Sequence, residues 1–310
     1  MIIKKIAKNF GKYIRNEDYR FLVNARMGMY KNMPDDEYIS KKYKALMGSA
    51  PDLDAPKTLN EKLQWLKLHN RKPEYSVMVD KYRVRDYIAE TIGEEYLIPL
   101  VGAWDYPDEI DFASLPDRFV LKCNHNSGLG MCICRDKASL DIKKVKSELK
   151  KGLKQDYYLS GREWPYKNVP RKIICERYMT DSPDSSDLTD YKFFCFNGHA
   201  DSVMLCLDRS SGDTKFYFFD KDWNLRRYNV RGKNAPADFT LPKPKNMDKM
   251  FEIAEKLSDG MPFARIDLYN SDDHIYFGEI TFFPDSGFDP NILAETDLYF
   301  GNLIDIDNLT

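Results

Sequence analysis

The chain has 310 residues, with 47 Lys and Arg against 49 Asp and Glu and a net charge of −2, so its overall charge gives no case for a nucleic-acid partner. Hydrophobic residues make up 43%, enough for one large domain or two to three subdomains, and no run of about 18 apolar residues predicts a membrane-spanning helix. The six cysteines, Cys123, Cys132, Cys134, Cys175, Cys195 and Cys206, fall in apolar strand-like runs without zinc-finger spacing, and the N-terminus lacks the pattern of a signal peptide, which together predict reduced thiols in a cytoplasmic protein.

Residues 1–31 set basic side chains (Lys4, Lys5, Lys8, Lys12, Arg15, Arg20, Arg26, Lys31) beside apolar ones at helical spacing (Ile2, Ile3, Ile6, Phe10, Tyr13, Ile14). Such a helix either lies on an anionic membrane surface or docks on its own domain. Thr58-Leu-Asn-Glu61 is a capping box that starts a helix running to His69. The spacing predicts a further helix from Val77 to Thr91, stopped by Gly93 and carrying Asp80, Lys81 and Arg85. Leu97 to Val101 reads as a short buried strand.

Phe119 to Asn124 reads as a strand that places Lys122 just before His125-Asn-Ser127-Gly128-Leu-Gly130, and Met131 to Cys134 as a second strand. A glycine-bearing turn of this kind can aim successive N–H groups at phosphate oxygens; a tight hairpin turn explains the same residues. It is not a Walker A loop, because no G-K-[ST] follows and the loop opens a strand. Ser139 to Leu153 is an amphipathic helix. Gly161 to Lys167, with Trp164 and Tyr166, is either a binding lid or a cover folded back on the core. Lys172 to Met179 is a strand breaking into a polar loop, and the acidic stretch Asp181 to Asp190 is a solvated connection.

Beyond Asp190 the pattern is mostly β. Tyr191 to Phe196, the turn Asn197-Gly198 and Asp201 to Leu207 form a hairpin, followed by a strand from Lys215 to Asp220 and a helix from Met247 to Leu257. Then come Phe263-Ala-Arg265-Ile-Asp267-Leu-Tyr269, a polar turn, and Tyr276-Phe-Gly278-Glu279-Ile-Thr281-Phe-Phe-Pro284. Side chains alternate along a strand, so Arg265, Asp267 and Tyr269 share one face and Glu279 and Thr281 share another. In a hairpin, Asp267 and Glu279 come opposite or diagonal to each other, a donor set suited to Mg²⁺ carrying polyphosphate. The chain ends on a short segment around Asp297 to Ile304.

The order of these segments resembles the ATP-grasp superfamily, and more closely the bacterial TupA-like ATP-grasp family. The likeness rests on Asp80-Lys-Tyr-Arg-Val-Arg85, Lys122-Cys-Asn-His125, Glu163-Trp-Pro-Tyr-Lys167, and Gly278-Glu-Ile-Thr281 with Pro284 and Ser286-Gly287. It covers roughly residues 55–305. The resemblance implies an α+β, ATP-grasp fold in which two α+β subdomains (118–180 and 181–310) grip ATP, preceded by a basic helical segment (1–50) and a smaller region (51–117).

It further implies that Lys81, Lys122 and Lys192 hold phosphates under a loop containing Ser127, Gly128 and Gly130. Glu176, Tyr178 and Met179 would form the adenine hinge, and Asp267 and Glu279 would bind Mg²⁺. Thr281 stands where a metal-binding Asn is usual. Arg265, with Lys122 and Lys192, would act on the transferred phosphoryl group, and Trp164, Tyr166, Arg209 and Ser286 would meet the acceptor. The implied activity is an ATP-dependent carboxylate–amine ligase, joining an amino acid or other amine to a sugar or uronic-acid carboxylate in bacterial surface-polysaccharide synthesis. An ATP-grasp kinase, a glycosyltransferase using Asp220-Lys-Asp222 and an inactive ATP-binding module are the competing readings.

Overall fold

The computed structural model describes residues 11–182, 188–208 and 212–309; the apolar residues expected at positions 2–10 and Arg209 lie outside them. Helices α1 (Glu17–Arg26) and α2 (Asp35–Met47) pack on each other through Phe21 and Tyr38, whose rings lie 5.6 Å apart. Helix α3 (Leu59–His69) starts at the expected capping box: Thr58 Oγ1 accepts from the Glu61 amide and Glu61 Oε2 accepts from the Thr58 amide, each at 3.2 Å.

The expected helix from Val77 to Thr91 is instead broken. A short turn, Tyr75–Met78, is followed by α4 (Val84–Thr91). The break has a local cause: Asp80 Oδ1 accepts the Tyr82 and Arg83 amides at 2.9 and 3.3 Å, a side-chain-to-backbone turn that competes with helix. Lys81 is thereby lifted off a helix and held in a turn.

Strands β1 (Leu100–Trp104), β2 (Phe119–Cys123), β3 (Cys132–Cys134) and, after helix α5 (Ile142–Lys154), β4 (Ile173–Arg177) form a four-stranded sheet in the order β1-β4-β2-β3. All pairs are antiparallel, and the edge strand β1 comes from the 51–117 segment. Val145 and Leu149 of α5 pack on Phe119, Leu121, Ile173 and Cys175. The opposite face carries Val120, Lys122, Ile133 and Glu176.

Strands β5 (Asp190–Phe196), β6 (His199–Leu207), β7 (Lys215–Phe219), β8 (Leu225–Arg226), β9 (Phe263–Ser271) and β10 (His274–Thr281) form a second, six-stranded antiparallel sheet in the order β10-β9-β5-β6-β7-β8. The β5–β6 turn places both Asn197 and Gly198 at positive φ, 48° and 81°, which a two-residue hairpin of matching twist requires. Helix α6 (Met247–Ser258) covers one face: Phe251 meets Phe193 edge-on at 5.0 Å, and Cys195 Sγ contacts the Ala254 carbonyl. The chain ends in helix α7 (Ala294–Asn302), which packs against α3 and gives Asp297 Oδ1 to the Asn60 amide at 2.9 Å.

None of the six cysteines is joined in a disulfide, and burial pushes Cys175 and Cys195 up to about 12. Among the described residues no helix is long and apolar enough to cross a membrane.

Candidate active site

The six-stranded sheet turns two cross-strand rows away from α6. In one row Lys192, Asp267 and Glu279 stand in register on β5, β9 and β10; in the next stand Phe194, Arg265 and Thr281. Simple alternation along β10 would not build this. Phe277 lies opposite Leu268 on the core side, and the register then shifts at Gly278 so that Glu279 lies opposite Asp267. Without that extra residue Glu279 would fall opposite Ile266, in the core; a one-residue bulge moves it to the polar face. The space suits only glycine, since a Cβ at 278 would lie 2.9 Å from the Asp267 carbonyl oxygen and 3.0 Å from the Tyr269 ring.

Asp267 is 1% exposed. A carboxylate so deep stays charged only if cations and hydrogen bonds replace its water. Arg265 supplies a two-point grip, Nε to Oδ1 at 2.7 Å and Nη2 to Oδ2 at 2.8 Å, and Lys192 donates to Oδ2 as well. The same Arg265 Nη2 donates to Thr281 Oγ1 at 3.2 Å and to Glu279 Oε1 at 3.4 Å. Burial opposes the charge on Arg265, but Asp267, Glu279 and Asp285 more than offset it and raise its pKa above the ordinary value. The Glu279 side chain keeps 33% of its exposure. Burial pushes its carboxyl up, yet Lys81, Lys192, Arg265 and Lys122 together hold it down at about 2.

The four-stranded sheet supplies the facing wall. Fully buried Asn124 is its keystone: Nδ2 donates to Asp80 Oδ1 at 2.7 Å and to the Pro170 carbonyl at 2.8 Å, while Oδ1 accepts the Lys172 amide at 2.7 Å. Lys81 is thus fixed beside the glycine loop. Its amide bonds the Asn124 carbonyl at 3.1 Å, its Nζ bonds the Asn126 carbonyl at 2.9 Å, and that Nζ lies 3.5 Å from Glu279 Oε2, joining the two walls. Lys122 pairs with Glu176 at 2.6 Å, and Arg85 stands 3.9 Å from the same carboxylate. Ile133, Val120 and Glu176 align across β3, β2 and β4, leaving an apolar floor beside the lysines.

The glycine loop has a supported end and a bare tip. Gly130, at φ 73°, touches α5 so closely that a Cβ there would sit 2.8 Å from Gly152 Cα and 2.9 Å from Cys123 Sγ. Asn126 Nδ2 reinforces this end through the Gly152 carbonyl and Gln155 Oε1, at 3.3 and 3.0 Å. Ser127 and Gly128 are exposed, and a Cβ at Gly128 would meet nothing within 4 Å.

The structure therefore gathers Lys81, Lys122, Lys192, Glu176, Arg265, Asp267, Glu279 and Thr281. Met179 follows β4 and is half-buried. Tyr178 turns its side chain elsewhere: its hydroxyl accepts from Arg135 Nε at 3.1 Å and Arg118 lies 5.2 Å above its ring, so an adenine contact would fall to its backbone. Residues 161–167 lie folded back on the core, where Trp164, half-buried, stacks on Tyr75 at 6.1 Å. Tyr166 meets Tyr157 edge-on at 4.8 Å; burial, then Glu163 and Glu279, raise both phenols. Ser286 donates to Glu163 Oε1 at 2.6 Å. Asp80, Asn124 and Glu163 carry more of the site than the sequence reading assigned to them. Their signal was only their adjacency to Lys81, Lys122 and Trp164, because their partners lie far away in the chain.

The TupA-like ATPgrasp family model matches residues 61–305, most of the chain. The chain belongs to the TupA-like ATPgrasp family. Its α+β architecture, with a helical region before two antiparallel sheets, is the ATP-grasp fold. Solved structures of similar shape include the D-alanine–D-alanine ligase from Bacillus anthracis complexed with ATP, at 14% identity over 73% of this chain and 62% of that one, with a TM-score of 0.43. The D-alanine–D-alanine ligase from Helicobacter pylori shares 14% identity over 79% and 69%, also at a TM-score of 0.43. The ATP-grasp ligase PsnB, complexed with a phosphomimetic variant of its minimal precursor, Mg and ADP, shares 8% over 91% and 71%, at 0.41. This TupA-like chain spans 62% of the length of the first of these ligases. No curated protein sequence matches it.

The residues of this TupA-like site fit Mg²⁺. Asp267 and Glu279 are neighbours in register, Thr281 adds a hydroxyl oxygen and Glu279 remains partly open to solvent; Asp267, whose oxygens are held by Arg265 and Lys192, would exchange one of these partners for the ion. Among the described residues no three His, Cys, Asp or Glu side chains gather as a ligand set. Two carboxylates suffice for Mg²⁺, which keeps waters and takes phosphate oxygens.

Proposed function

We propose that this TupA-like ATP-grasp protein is an ADP-forming carboxylate–amine ligase. It would act in the cytoplasm on a sugar or uronic-acid carboxylate destined for a bacterial surface polysaccharide, joining it to an amino acid or other amine. The observation that carries the reading is the in-register row Lys192–Asp267–Glu279, faced by Lys81 at 3.5 Å from Glu279. It is a mixed-charge surface built for polyphosphate, and family membership supports ligation as its use.

In this reading ATP is gripped between the segments 118–180 and 181–310. The base would lie on the Val120–Ile133 floor, with backbone groups at Glu176 to Met179 as its polar partners. Lys81, Lys122 and Lys192 would take the phosphates, and the loop carrying Ser127, Gly128 and Gly130 would cover them. Asp267 and Glu279, with Thr281, would hold Mg²⁺, whose bound charge offsets that of the phosphates. The acceptor carboxylate attacks the γ-phosphorus as the bond to ADP breaks, giving an acyl phosphate. The amine nitrogen then attacks the acyl carbon and phosphate leaves. Arg265 neutralises charge on the transferred group. Such catalysis asks mainly for position and preorganised charge.

The test incubates the protein with ATP, Mg²⁺, uronic acids or uronate oligosaccharides, and pooled amino acids and amines. Products are read by ³¹P NMR and mass spectrometry against the Asp267→Ala/Glu279→Ala double variant. Amine-dependent ADP and phosphate with a new amide is the expected result. A stable phosphomonoester would instead make the protein a kinase, and no ATP turnover would overturn the reading.

A further inference from the structure

A second polar cluster borders the site and has no part in gripping phosphate. Glu163 is a 3% exposed carboxyl with Ser286 Oγ donating to it at 2.6 Å. The pair is built in. Gly161 packs so tightly on Ser286 that a Cβ at 161 would sit 2.2 Å from Ser286 Oγ. Lys67, also fully buried, bonds the Ser286 and Gly161 carbonyls at 2.6 and 2.8 Å and Gln64 Oε1 at 2.8 Å. Residues 285 and 286 are both left-handed, at φ 48° and 55°, without being glycine. Strain of this kind persists where surrounding contacts over-determine it, and it clusters at functional sites.

The cluster borders the chemistry. Tyr157 feels the charges of Glu163, Glu279, Arg265 and Asp285, and Tyr166 those of Glu163, Glu279 and Arg265. Asp285, the neighbour of Ser286, and Arg265 line one small cavity together with Pro284, which brings the Ser286–Glu163 pair up to the carboxylate centre. Burial raises the Glu163 carboxyl, opposed by Lys67, Ser286 and Lys42 and reinforced by Glu279; burial lowers the Lys67 ammonium to about 7, opposed by Glu163. A carboxyl raised above its ordinary value and hydrogen-bonded to a hydroxyl is suited to taking up that hydroxyl's proton.

We infer that Ser286, held by Glu163, receives the attacking amine and relays its proton. This inference rests on the ligase reading. As nitrogen bonds to the acyl carbon and phosphate leaves with the C–O electron pair, the amine proton passes to Ser286 Oγ while the Ser286 proton passes to Glu163. Glu163 then returns it to solvent or the departing phosphate. Ser286 touches substrate; Glu163 acts through it, and Lys67 fixes the backbone of both segments.

The test compares two nucleophiles, since hydroxylamine attacks acyl phosphates without help from a base. Glu163→Gln, Glu163→Asp and Ser286→Ala are assayed with ATP, Mg²⁺ and a glucuronate and oligogalacturonate mixture, with either hydroxylamine or pooled amino acids as nucleophile. The expected result for Glu163→Gln and Ser286→Ala is a fall of about 10²-fold or more with amino acids and less than about threefold with hydroxylamine. Glu163→Asp restores part of the loss, and the rising limb of the amino-acid pH profile disappears in Glu163→Gln. Equal losses with both nucleophiles would show a structural role and overturn the relay. So would full amino-acid activity in Glu163→Gln. Hydroxamate formed by the wild type shows that the ligase reading stands whatever the variants do; none formed by the wild type overturns both.

Discussion

The carboxylate centre and the glycine loop face each other across Glu279, yet they are stabilised in opposite ways. At the centre every formal charge has a partner within its own sheet: Arg265 and Lys192 saturate Asp267, and the Gly278 bulge locks Glu279 beside them. At the loop, order comes mainly from hydrogen bonds to and from Asn126, one of them from Lys81, and from the backbone contact of Gly130; between them Ser127 and Gly128 stand clear. The centre is organised before any ligand arrives, whereas the loop tip has its contacts still to make. The proposed nucleotide site would need both, one part to neutralise phosphate in place and another to admit and release nucleotide.

The contrast can be broken most forcefully at Asp267. Asp267→Ala strips Arg265 and Lys192 of their shortest contacts, leaving only the longer ones to Glu279 at 3.4 Å and Asp190 at 3.9 Å, and is expected to cost about 3–5 kcal/mol in urea unfolding, besides ending ATP turnover. A cost below about 1 kcal/mol would mean that the centre is solvated and no more fixed than the loop. Glu279→Gln should separate function from stability: turnover falls about 10²–10³-fold, with a smaller stability loss than Asp267→Ala because Glu279 is partly exposed.

Acid sharpens the same point. The folded carboxyl of Glu279 is lowered from 4.5 to about 2, so its stabilising contribution is fully present above pH 4.5 and is lost as pH falls toward 2. Stability measured across that window should fall more steeply in the wild type than in Glu279→Gln. The smallest effects lie at the loop. Gly128→Ala meets open space and should cost only the left-handed backbone penalty of about 1–2 kcal/mol. Gly130→Ala adds a clash with Gly152 worth about 1–3 kcal/mol more. Equal thermal stabilities for the two would remove the distinction between supported end and bare tip.

Features fixed by neighbouring residues were legible in the sequence. Thr58 with Glu61, the Asn197-Gly198 turn and the Arg265/Asp267 face of β9 all follow from short-range stereochemistry. Strict alternation, however, would have placed Glu279 on the same face as Phe277. Only the bulge separates them, and a glycine in a strand does not announce a bulge by itself. The break at Asp80 was missed because apolar periodicity from Val77 to Thr91 outweighed a turn-forming residue within it. Asn124, Lys67 and Glu163 were beyond reach for another reason: Asn124 meets Asp80 and Lys172, Lys67 meets Gly161 and Ser286, and Glu163 meets Ser286, pairings that only the finished fold defines.

The contact of Asn60 with Asp297 and of Lys62 with the Ile304 carbonyl bears on how the chain is made. Synthesis is vectorial. The helix bearing Asn60 and Lys62, and Lys81 soon after it, leave the ribosome more than a hundred residues before their partners. The four-stranded sheet is complete once β4 emerges to pair with both β1 and β2, but Lys81 finds Glu279, and α3 finds α7, only when translation is almost complete. Until then α3 keeps apolar surface in water. A nascent chain paused before residue 263 would hold its glycine loop without its carboxylates, and slow codons or chaperone occupancy in that interval would act on yield rather than on the finished protein.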